Sequence, residues 1–114
     1  MAKFLEGQLL RIFVNECDTW HGGPLYGAIV EMLKREGVAG ASVFRGVEGF
    51  GVNREIHTAR VWSFSAKLPV LIEVVDEPGK IEALVSELEG MISEGAITLE
   101  KVQYCRFQRA RSTA

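Results

Sequence analysis

The first apolar stretch of the chain alternates with polar positions residue by residue. In residues 8–15, QLLRIFVN, the side chains of Leu10, Ile12 and Val14 fall on one face, and Phe13 falls on the other. A period of two predicts a β-strand that lays one face against a core. The aspartate and glycines that follow interrupt this pattern and predict a turn before the next element.

Two later segments carry apolar residues at helical spacing, and each begins at a proline. Pro24 and Pro78 suit the first position of a helix, where the N–H that proline lacks would have had no partner. Gly37 and Gly95 follow the two segments and predict where the helices end. The predicted apolar stripes consist of Leu25, Ala28, Ile29, Met32 and Leu33, and of Ile81, Leu84, Val85, Leu88 and Ile92.

Three further segments are predicted to be strands. Residues 41–47, ASVFRGV, follow the first helix, and residues 68–76, LPVLIEVVD, are so uniformly apolar that they indicate a central strand. Residues 97–107 form the last strand, with a predicted change of register at Glu100 and Lys101, where the alternation breaks. The resulting order of elements is β-α-β-β-α-β.

This order predicts an α+β fold of the ferredoxin-like type, with residues 1–114 as a single domain. In such a fold four antiparallel strands form one sheet, and both helices cover the same face. The other face then carries Leu9 and Phe13, with Phe44 and Tyr104 as further candidates. Because an apolar sheet face of this size should be covered, we expect copies of the chain to form a homo-oligomer.

Composition and charge exclude several classes of function. The chain has 114 residues, of which 47% are hydrophobic and 25% charged, and its net charge is −2, so we expect no nucleic-acid partner. No apolar run approaches the ~20 residues that span a bilayer, and the first residues lack the apolar core of a signal peptide. We therefore expect a cytoplasmic protein that does not insert into membranes and keeps its two cysteines reduced.

The stretch GVEGFGVNREIHTAR, residues 46–60, is longer and more polar than a connection between two strands requires. Gly49 and Gly51 flank Phe50, and glycines let backbone N–H groups approach a ligand closely or form an anion-binding nest. The alternative is a β-bulge, or the start of a loop, that binds nothing. The aromatic residues of the following RVWSFS alternate, which indicates an added strand that either packs within an oligomer or meets a partner.

Metal binding and catalysis have weaker support. Cys17, Asp18 and His21 lie close together before the first helix, but a structural zinc site generally has four ligands at recognisable spacing. The other interpretation is that His21 bonds to backbone in a glycine turn and that Cys17 is a small buried apolar residue. The chain contains no nucleophile motif such as G-x-S-x-G, so we expect neither enzymatic activity nor a resident metal. The sequence does not identify a cofactor.

The chain resembles a family of uncharacterised bacterial and archaeal proteins related to the PII nitrogen-regulatory signal-transduction proteins. The segments that carry the resemblance are PLYGAIVEMLKREGVAGASVFRGVEGFG, IHTA, LPVLIEVVD and AITLEKV, which cover most of residues 8–105. The similarity to PII proteins themselves rests on the element order and on VEGFGVNREIHT, which is similar to the Gly-Phe-Gly segment that opens their mobile T-loop. The resemblance implies a PII-like homotrimer with ATP or ADP in the clefts between subunits.

Carried over by position, the resemblance implies a ligand site around this loop. Gly51 matches the PII motif, while Asn53 and Arg54 stand where PII proteins have glutamine and lysine. Val52 stands in place of an arginine, so one positive charge is missing. We therefore expect a small anionic effector, such as an adenine nucleotide. The expected ligand-binding residues are Gly49, Phe50, Gly51, Asn53, Arg54, His57, Arg106 and Arg109.

Two other parts of the PII nucleotide site are only partly matched. The glycine-rich loop of PII proteins ends in Gly-Lys, whereas here Ala96 follows the glycine and Glu94 adds a negative charge that disfavours a phosphate. PII proteins also have arginines near the C-terminus, and Arg106 and Arg109 correspond to them by position. The alternative for these arginines is a solvated basic tail without a ligand.

In PII proteins the T-loop docks onto channels and enzymes, so the resemblance implies a regulatory protein whose partner is, for example, a membrane transporter or channel. Residues 52–67 contain no tyrosine, so uridylylation of the kind found in many PII proteins is not expected there. Two other functions stay open. One is a metal-binding trimer that resembles the divalent-cation tolerance proteins, and the other is a ligand-free structural adaptor oligomer.

Overall fold

The computed structural model describes residues 2–50, 56–58 and 67–109, which form a four-stranded antiparallel sheet with two helices on one face. The order of strands in the sheet is β4-β7-β1-β8. The predicted β-α-β-β-α-β fold is confirmed, with two short hairpins added to it. The elements are β1 (Leu5–Asn15), β2 (Thr19–Trp20), β3 (Gly23–Pro24), α1 (Leu25–Arg35), β4 (Ser42–Arg45), β5 (Glu48–Gly49), β6 (His57–Thr58), β7 (Pro69–Asp76), α2 (Pro78–Glu89) and β8 (Ala96–Tyr104).

The core lies between the helices and the two central strands. Along β7 every second residue is buried, beginning at Val70, and β1 shows the same alternation. Both predicted helical stripes face this core, although Ala28 and Val85 are only half-buried. Ile92, predicted as part of the second stripe, packs against the core from beyond the end of α2 at Glu89. Within the described residues, neither helix is long and apolar enough to cross a membrane. The core side chains are Leu10, Ile12, Val14, Leu25, Ile29, Met32, Leu33, Val70, Ile72, Val74, Ile81, Leu84 and Leu88.

The first helix begins one residue later than predicted. Pro24 has extended backbone angles (φ −68°, ψ 134°) and is the N-cap, so the helix starts at Leu25. The predicted end is confirmed, because Gly37 follows the C-cap with a φ of +80°. This left-handed conformation is one that glycine adopts without steric cost.

The second helix begins at Pro78 as predicted but ends earlier than Gly95. Its last residue is Glu89 and its C-cap is Gly90, because a glycine in a helix interior loses more backbone entropy than other residues. Gly95 instead lies where the chain returns to the sheet. A Cβ there would be 2.5 Å from the carbonyl oxygen of Phe13, so this position requires glycine for a steric reason.

The last strand is regular, so the predicted change of register at Glu100 and Lys101 is wrong. β8 pairs with β1 without interruption from Leu5 opposite Tyr104 to Phe13 opposite Ala96. Polar side chains are tolerated on both faces because β8 is an edge strand. The strand ends at Tyr104 rather than at the predicted residue 107, because the partner strand β1 begins at Leu5.

The two short hairpins lie at turns that the sequence marks with glycine. Between β2 and β3, His21 and Gly22 have φ values of +47° and +85°, the two consecutive positive values of a type I′ turn. In the other hairpin, Gly49 of β5 pairs with His57 of β6. The predicted strand in RVWSFS lies outside the described residues.

Candidate ligand groove

The sheet face opposite the helices, called the open face below, carries the apolar residues that the alternation predicted. Phe13 and Phe44 both pair with Leu71, so the three side chains share this face. Tyr104 pairs with Leu5 on the same face, at the other end of β1. The exposed fractions of Phe13 and Phe44 are 39% and 50%, so a substantial apolar area remains in contact with solvent within one chain.

An ion-paired arginine lies at the centre of the open face and joins three strands. Arg11 of β1 donates from Nε to Oε2 of Glu73 at 2.9 Å, and from Nη1 to Oε1 of Glu100 at 2.5 Å. These two hydrogen bonds, chiefly the one to Glu73, raise the pKa of Arg11 above its ordinary value. Arg11 therefore provides a positive charge between the carboxylates of Glu73 and Glu100.

An open groove of about 550 Å³ lies at one end of the open face. One wall is the loop that precedes β4, the other is the segment that follows β8, and the floor comes from β1 and β7. This volume falls within the range of roughly 300–1,000 Å³ that is typical of small-molecule sites. The lining residues are Leu9, Ala39, Gly40, Ala41, Ser42, Glu73, Val75, Arg106, Phe107 and Gln108.

The groove combines apolar surfaces with one side chain of each charge. Leu9, Val75 and Phe107 provide apolar contacts, and Glu73 and Arg106 provide a carboxylate and a guanidinium. A carboxylate accepts hydrogen bonds from an amino group, whereas a guanidinium donates to a carbonyl or an anion. The arrangement therefore suits a flat, partly apolar ligand that carries both an amino group and an acceptor or negative charge.

Arg106 is held in the groove by the Tyr104 ring of β8 and a backbone carbonyl of β7. Its guanidinium lies 5.1 Å from the ring centre of Tyr104, and its Nη2 donates to the carbonyl oxygen of Val75 at 2.6 Å. The Tyr104 ring lies against Gly7, where a Cβ would be 2.5 Å from a ring carbon. Glycine at position 7 therefore lets the ring lie close to the sheet and present its face to the arginine.

Substituting Gly7 with alanine should disturb the packing of the Tyr104 ring. The added methyl group would overlap the Tyr104 ring and approach the carbonyl oxygen of Asp76 to 3.0 Å, so we expect the free energy of unfolding to fall by about 1–3 kcal/mol. Chemical denaturation measures this change. Gly79→Ala is the control, because a Cβ there meets no atom within 4 Å and alanine favours the helix by up to about 1 kcal/mol. A loss of stability in both variants would contradict the steric explanation.

The structure brings only some of the predicted ligand-binding residues to this groove. Arg106 lines it, and Arg109 is exposed in the same C-terminal segment. Gly49 lies in the β5–β6 hairpin, close to Pro69, and pairs with His57, while Phe50 is 62% exposed next to the hairpin. The predicted residues Gly51, Asn53 and Arg54 lie outside the described part of the chain.

Within one chain, the glycine hairpin and the groove lie at opposite ends of β7. Gly46, which leads into the hairpin, donates its backbone N–H to Pro69 at 2.7 Å, whereas the groove lies at Val75. The six residue-to-residue steps from Pro69 to Val75 correspond to about 20 Å of strand at roughly 3.3 Å per residue. The nearest groove residues, Ser42 and Glu73, are each four residues from the start of the hairpin, or about 13 Å of strand, so a ligand seated in the groove lies apart from the hairpin of the same chain.

Sequence patterns did not single out Glu73, or residues 39–42 before and at the start of β4, as parts of a site. One sequence feature pointed to Glu73, because it is the acidic residue inside the otherwise apolar strand LPVLIEVVD. Residues 39–42 are small and carry almost no side-chain chemistry, so they line the groove mainly through their backbone. What these residues contribute to the groove depends on the path of the backbone in the folded protein, and the residue types alone do not indicate that path.

The turn before α1 differs from the interpretation of Cys17 as a buried apolar residue. Cys17 is exposed, because it lies in the turn after β1 rather than on a strand. His21 stacks on Trp20 with ring centres 4.4 Å apart and ring planes 9° from parallel. Among the residues that the structure describes, no group of three or more His, Cys, Asp or Glu side chains is placed to hold a metal ion.

Comparison with known sequences identifies relatives over nearly the whole chain. The model of the DUF190 family, described as uncharacterized ACR, matches residues 7–104. A UPF0166 protein of Aquifex aeolicus is 37% identical over 101 residues, which is 89% of this chain and 95% of the relative. UPF0166 protein MJ1524 of Methanocaldococcus jannaschii is 33% identical over 95 residues, which is 83% of this chain and 87% of the relative.

Comparison with solved structures confirms the PII-like fold. CPII, a nitrogen regulatory PII-like protein from Thiomonas intermedia K12, was solved bound to ADP, AMP and bicarbonate. This chain is similar to it with a TM-score of 0.72 at 15% identity, over 93% of this chain and 94% of that chain. A second CPII structure, bound to ADP and bicarbonate, gives a TM-score of 0.66 at 15% identity, over 93% of this chain and 95% of that chain.

Proposed function

We propose that this chain, which belongs to the DUF190 family and has the fold of PII-like proteins, binds an adenine nucleotide in the groove beside Glu73 and Arg106. The observation that carries the proposal is the groove, where apolar walls stand next to a carboxylate and a guanidinium. The ligands of its structural neighbour CPII, which are ADP, AMP and bicarbonate, support the same class of ligand.

The charges of the groove favour one orientation of such a nucleotide. The adenine ring is flat and would lie between the apolar side chains of Leu9, Val75 and Phe107, while its amino group could donate to Glu73. Phosphate groups are negatively charged, so the Glu73 carboxylate repels them and the Arg106 guanidinium binds them. The base therefore belongs near Glu73, and the phosphates extend away from it toward Arg106 and Arg109.

The proposal includes a homo-oligomer, because the groove and the glycine hairpin lie at opposite ends of β7 in one chain. Gly49 is near Pro69, at the end of β7 opposite the groove. A second copy that brings its hairpin to the groove would complete a site between subunits. The half-exposed Phe13 and Phe44 on the open face also need a covering surface. A homotrimer, as in PII proteins, satisfies both conditions.

We assign the protein a regulatory role rather than an enzymatic one. The described residues 46–50 and 56–58 would form one wall of the completed site, and the protein would meet a partner, such as a membrane transporter or channel, through an arm next to this wall. Ligand binding changes the position of such an arm only when the ligand binds two arrangements with different affinity. Glu94 and Ala96 replace favourable phosphate contacts of PII proteins, so we expect weak nucleotide binding or a preference for a smaller anion.

Calorimetric titration with ATP, ADP, AMP and bicarbonate tests this proposal. We expect wild-type protein to bind at least one of the nucleotides at submillimolar concentration. We expect Arg106→Ala to bind it at least about tenfold more weakly, because a hydrogen bond to a charged group is lost. The double variant Arg54→Ala, Arg106→Ala should bind more weakly still.

Lys101→Ala is the matched control, since it removes a cation from the helix-facing side of β8, the strand that precedes Arg106. Its affinity should equal that of wild type. Absence of nucleotide binding by wild type at millimolar concentration would contradict the nucleotide proposal and leave the ligand-free adaptor. Equal binding by wild type and the arginine variants would mean that the site lies elsewhere.

A further inference from the structure

A buried carboxylate ends the central strand β7 beneath the groove wall. Val70, Ile72 and Val74 face the helices, and Asp76 takes the next position of the same alternation with an exposed fraction of 3%. Among the described residues, it is the one charged side chain in the core. A charge in such a position is costly unless hydrogen bonds satisfy it, so its partners indicate what it holds in place.

Each oxygen of the Asp76 carboxylate accepts a hydrogen bond from backbone. The N–H of Glu77, the N-cap of α2, donates to Oδ1 at 2.8 Å. The N–H of Ala39, in the loop between α1 and β4, donates to Oδ2 at 3.2 Å. One side chain therefore joins the start of α2 to a segment 37 residues earlier in the chain. The N-terminal end of a helix also favours the negative charge.

A second contact connects the same two segments from the outside. Lys80, in the first turn of α2, donates from Nζ to the carbonyl oxygen of Gly37 at 3.1 Å. Val38 lies between the two tethered residues and packs against the core. The exposed lysine contributes less than the buried carboxylate, because solvent competes for an exposed polar contact.

The tethered loop continues directly into the rim of the groove at residues 39–42. We propose that Asp76 is a positioning residue for ligand binding: it holds Ala39, and so fixes the backbone that a bound nucleotide meets. This inference rests on the proposed function for its ligand. The two hydrogen bonds that Asp76 accepts from Glu77 and Ala39, called the clamp below, exist independently of that function. A rim that is already ordered avoids the entropy cost of ordering on binding.

Asp76→Asn tests the clamp with little change of shape. An asparagine has one acceptor oxygen and turns its NH₂ group toward the other N–H donor, so both hydrogen bonds cannot persist. Without added ligand, we expect amide hydrogen exchange at Ala39 to accelerate at least about tenfold. With ADP as the probe, we expect the dissociation constant to rise at least about fivefold, because binding must then order the rim.

Asp18→Asn is the matched control. Oδ2 of Asp18 accepts the backbone N–H of Asn15 at 2.9 Å, which is the same kind of bond at the opposite end of the sheet. This variant should leave both the exchange of Ala39 and the dissociation constant for ADP unchanged. A change of the same size in the control would show a general loss of stability and overturn the assignment to Asp76.

The two measurements separate failure of the clamp from failure of the proposed function. Unchanged Ala39 exchange in Asp76→Asn overturns the clamp, and faster exchange with an unchanged dissociation constant overturns its role in positioning ligand. If wild type binds no nucleotide, the proposed function fails, and so does the role of Asp76 in positioning a nucleotide. The exchange rate of the Ala39 amide would still show whether Asp76 holds Ala39 in place. If Asp76→Asn does not fold, hydrogen exchange of the Ala39 amide in wild type is the test, and an unprotected amide overturns the clamp.

Discussion

Replacing Leu88 with alanine should lower the free energy of unfolding by about 2–5 kcal/mol. Leu88 has an exposed fraction of 1% and belongs to the core stripe of α2 with Ile81 and Leu84. Alanine would remove the contacts of its terminal carbons and leave a cavity between α2 and the sheet. The rigid central strands on the other side can fill such a cavity only in part, which is why we expect a large effect.

Urea denaturation measures this change, and Glu82→Ala is the control on the same helix. Glu82 is exposed, so its replacement should alter the free energy of unfolding by less than about 0.5 kcal/mol. The two variants differ mainly in which side of α2 they change. Similar losses in both would mean that the helix presents a different face to the sheet.

Replacing Phe13 with aspartate should dissociate the proposed oligomer. Phe13 lies on the open face, between Leu71 of β7 and Ala96 of β8 in the pairing of the strands. An oligomer that covers this face would bury an unpaired carboxylate from every copy, at a cost of about 3–5 kcal/mol for each. A loss of that size weakens association at least about a hundredfold.

Sedimentation velocity at micromolar concentration distinguishes the assembled and dissociated forms. Ser86→Asp is the control, because it adds the same charge on an exposed position of α2, away from the open face. It should leave the sedimentation coefficient of the oligomer unchanged. A wild-type protein that sediments as a monomer would contradict the oligomer, and an intact Phe13→Asp oligomer would place the interface elsewhere.

The sequence was sufficient to predict the elements whose apolar period is long and regular. Residues of β1 and both helices repeat at the spacing of their structure, so their core faces were visible before the fold was known. The uniformly apolar β7 was predicted to be central, but which of its residues face the core was not. The prediction was less accurate at β8. Lys101 and Glu100 are tolerated on an edge strand, and an edge strand need not show a regular apolar alternation.

The groove is much harder to predict, because its parts come from distant places in the sequence. Arg106 was a candidate through a family resemblance, but its hydrogen bond to Val75 and its stacking on Tyr104 depend on how the last residues pass the sheet. Asp76 illustrates the same limit. As the last letter of LPVLIEVVD it looked like the end of a strand, and only its distance to Ala39 gives it a further role.

The position of β1 at the centre of the sheet has a consequence for synthesis of the chain on the ribosome. β1 is made first, yet its two neighbours β7 and β8 belong to the second half of the chain, and Arg11 is 89 residues away from its partner Glu100. At roughly 5–20 residues per second, translation takes on the order of 5–20 s to add that length. For the part of this interval before β7 is complete at Asp76, the nascent strand exposes Leu10, Ile12 and Val14 without a partner strand, so β1 is the segment that we expect a ribosome-associated chaperone to bind.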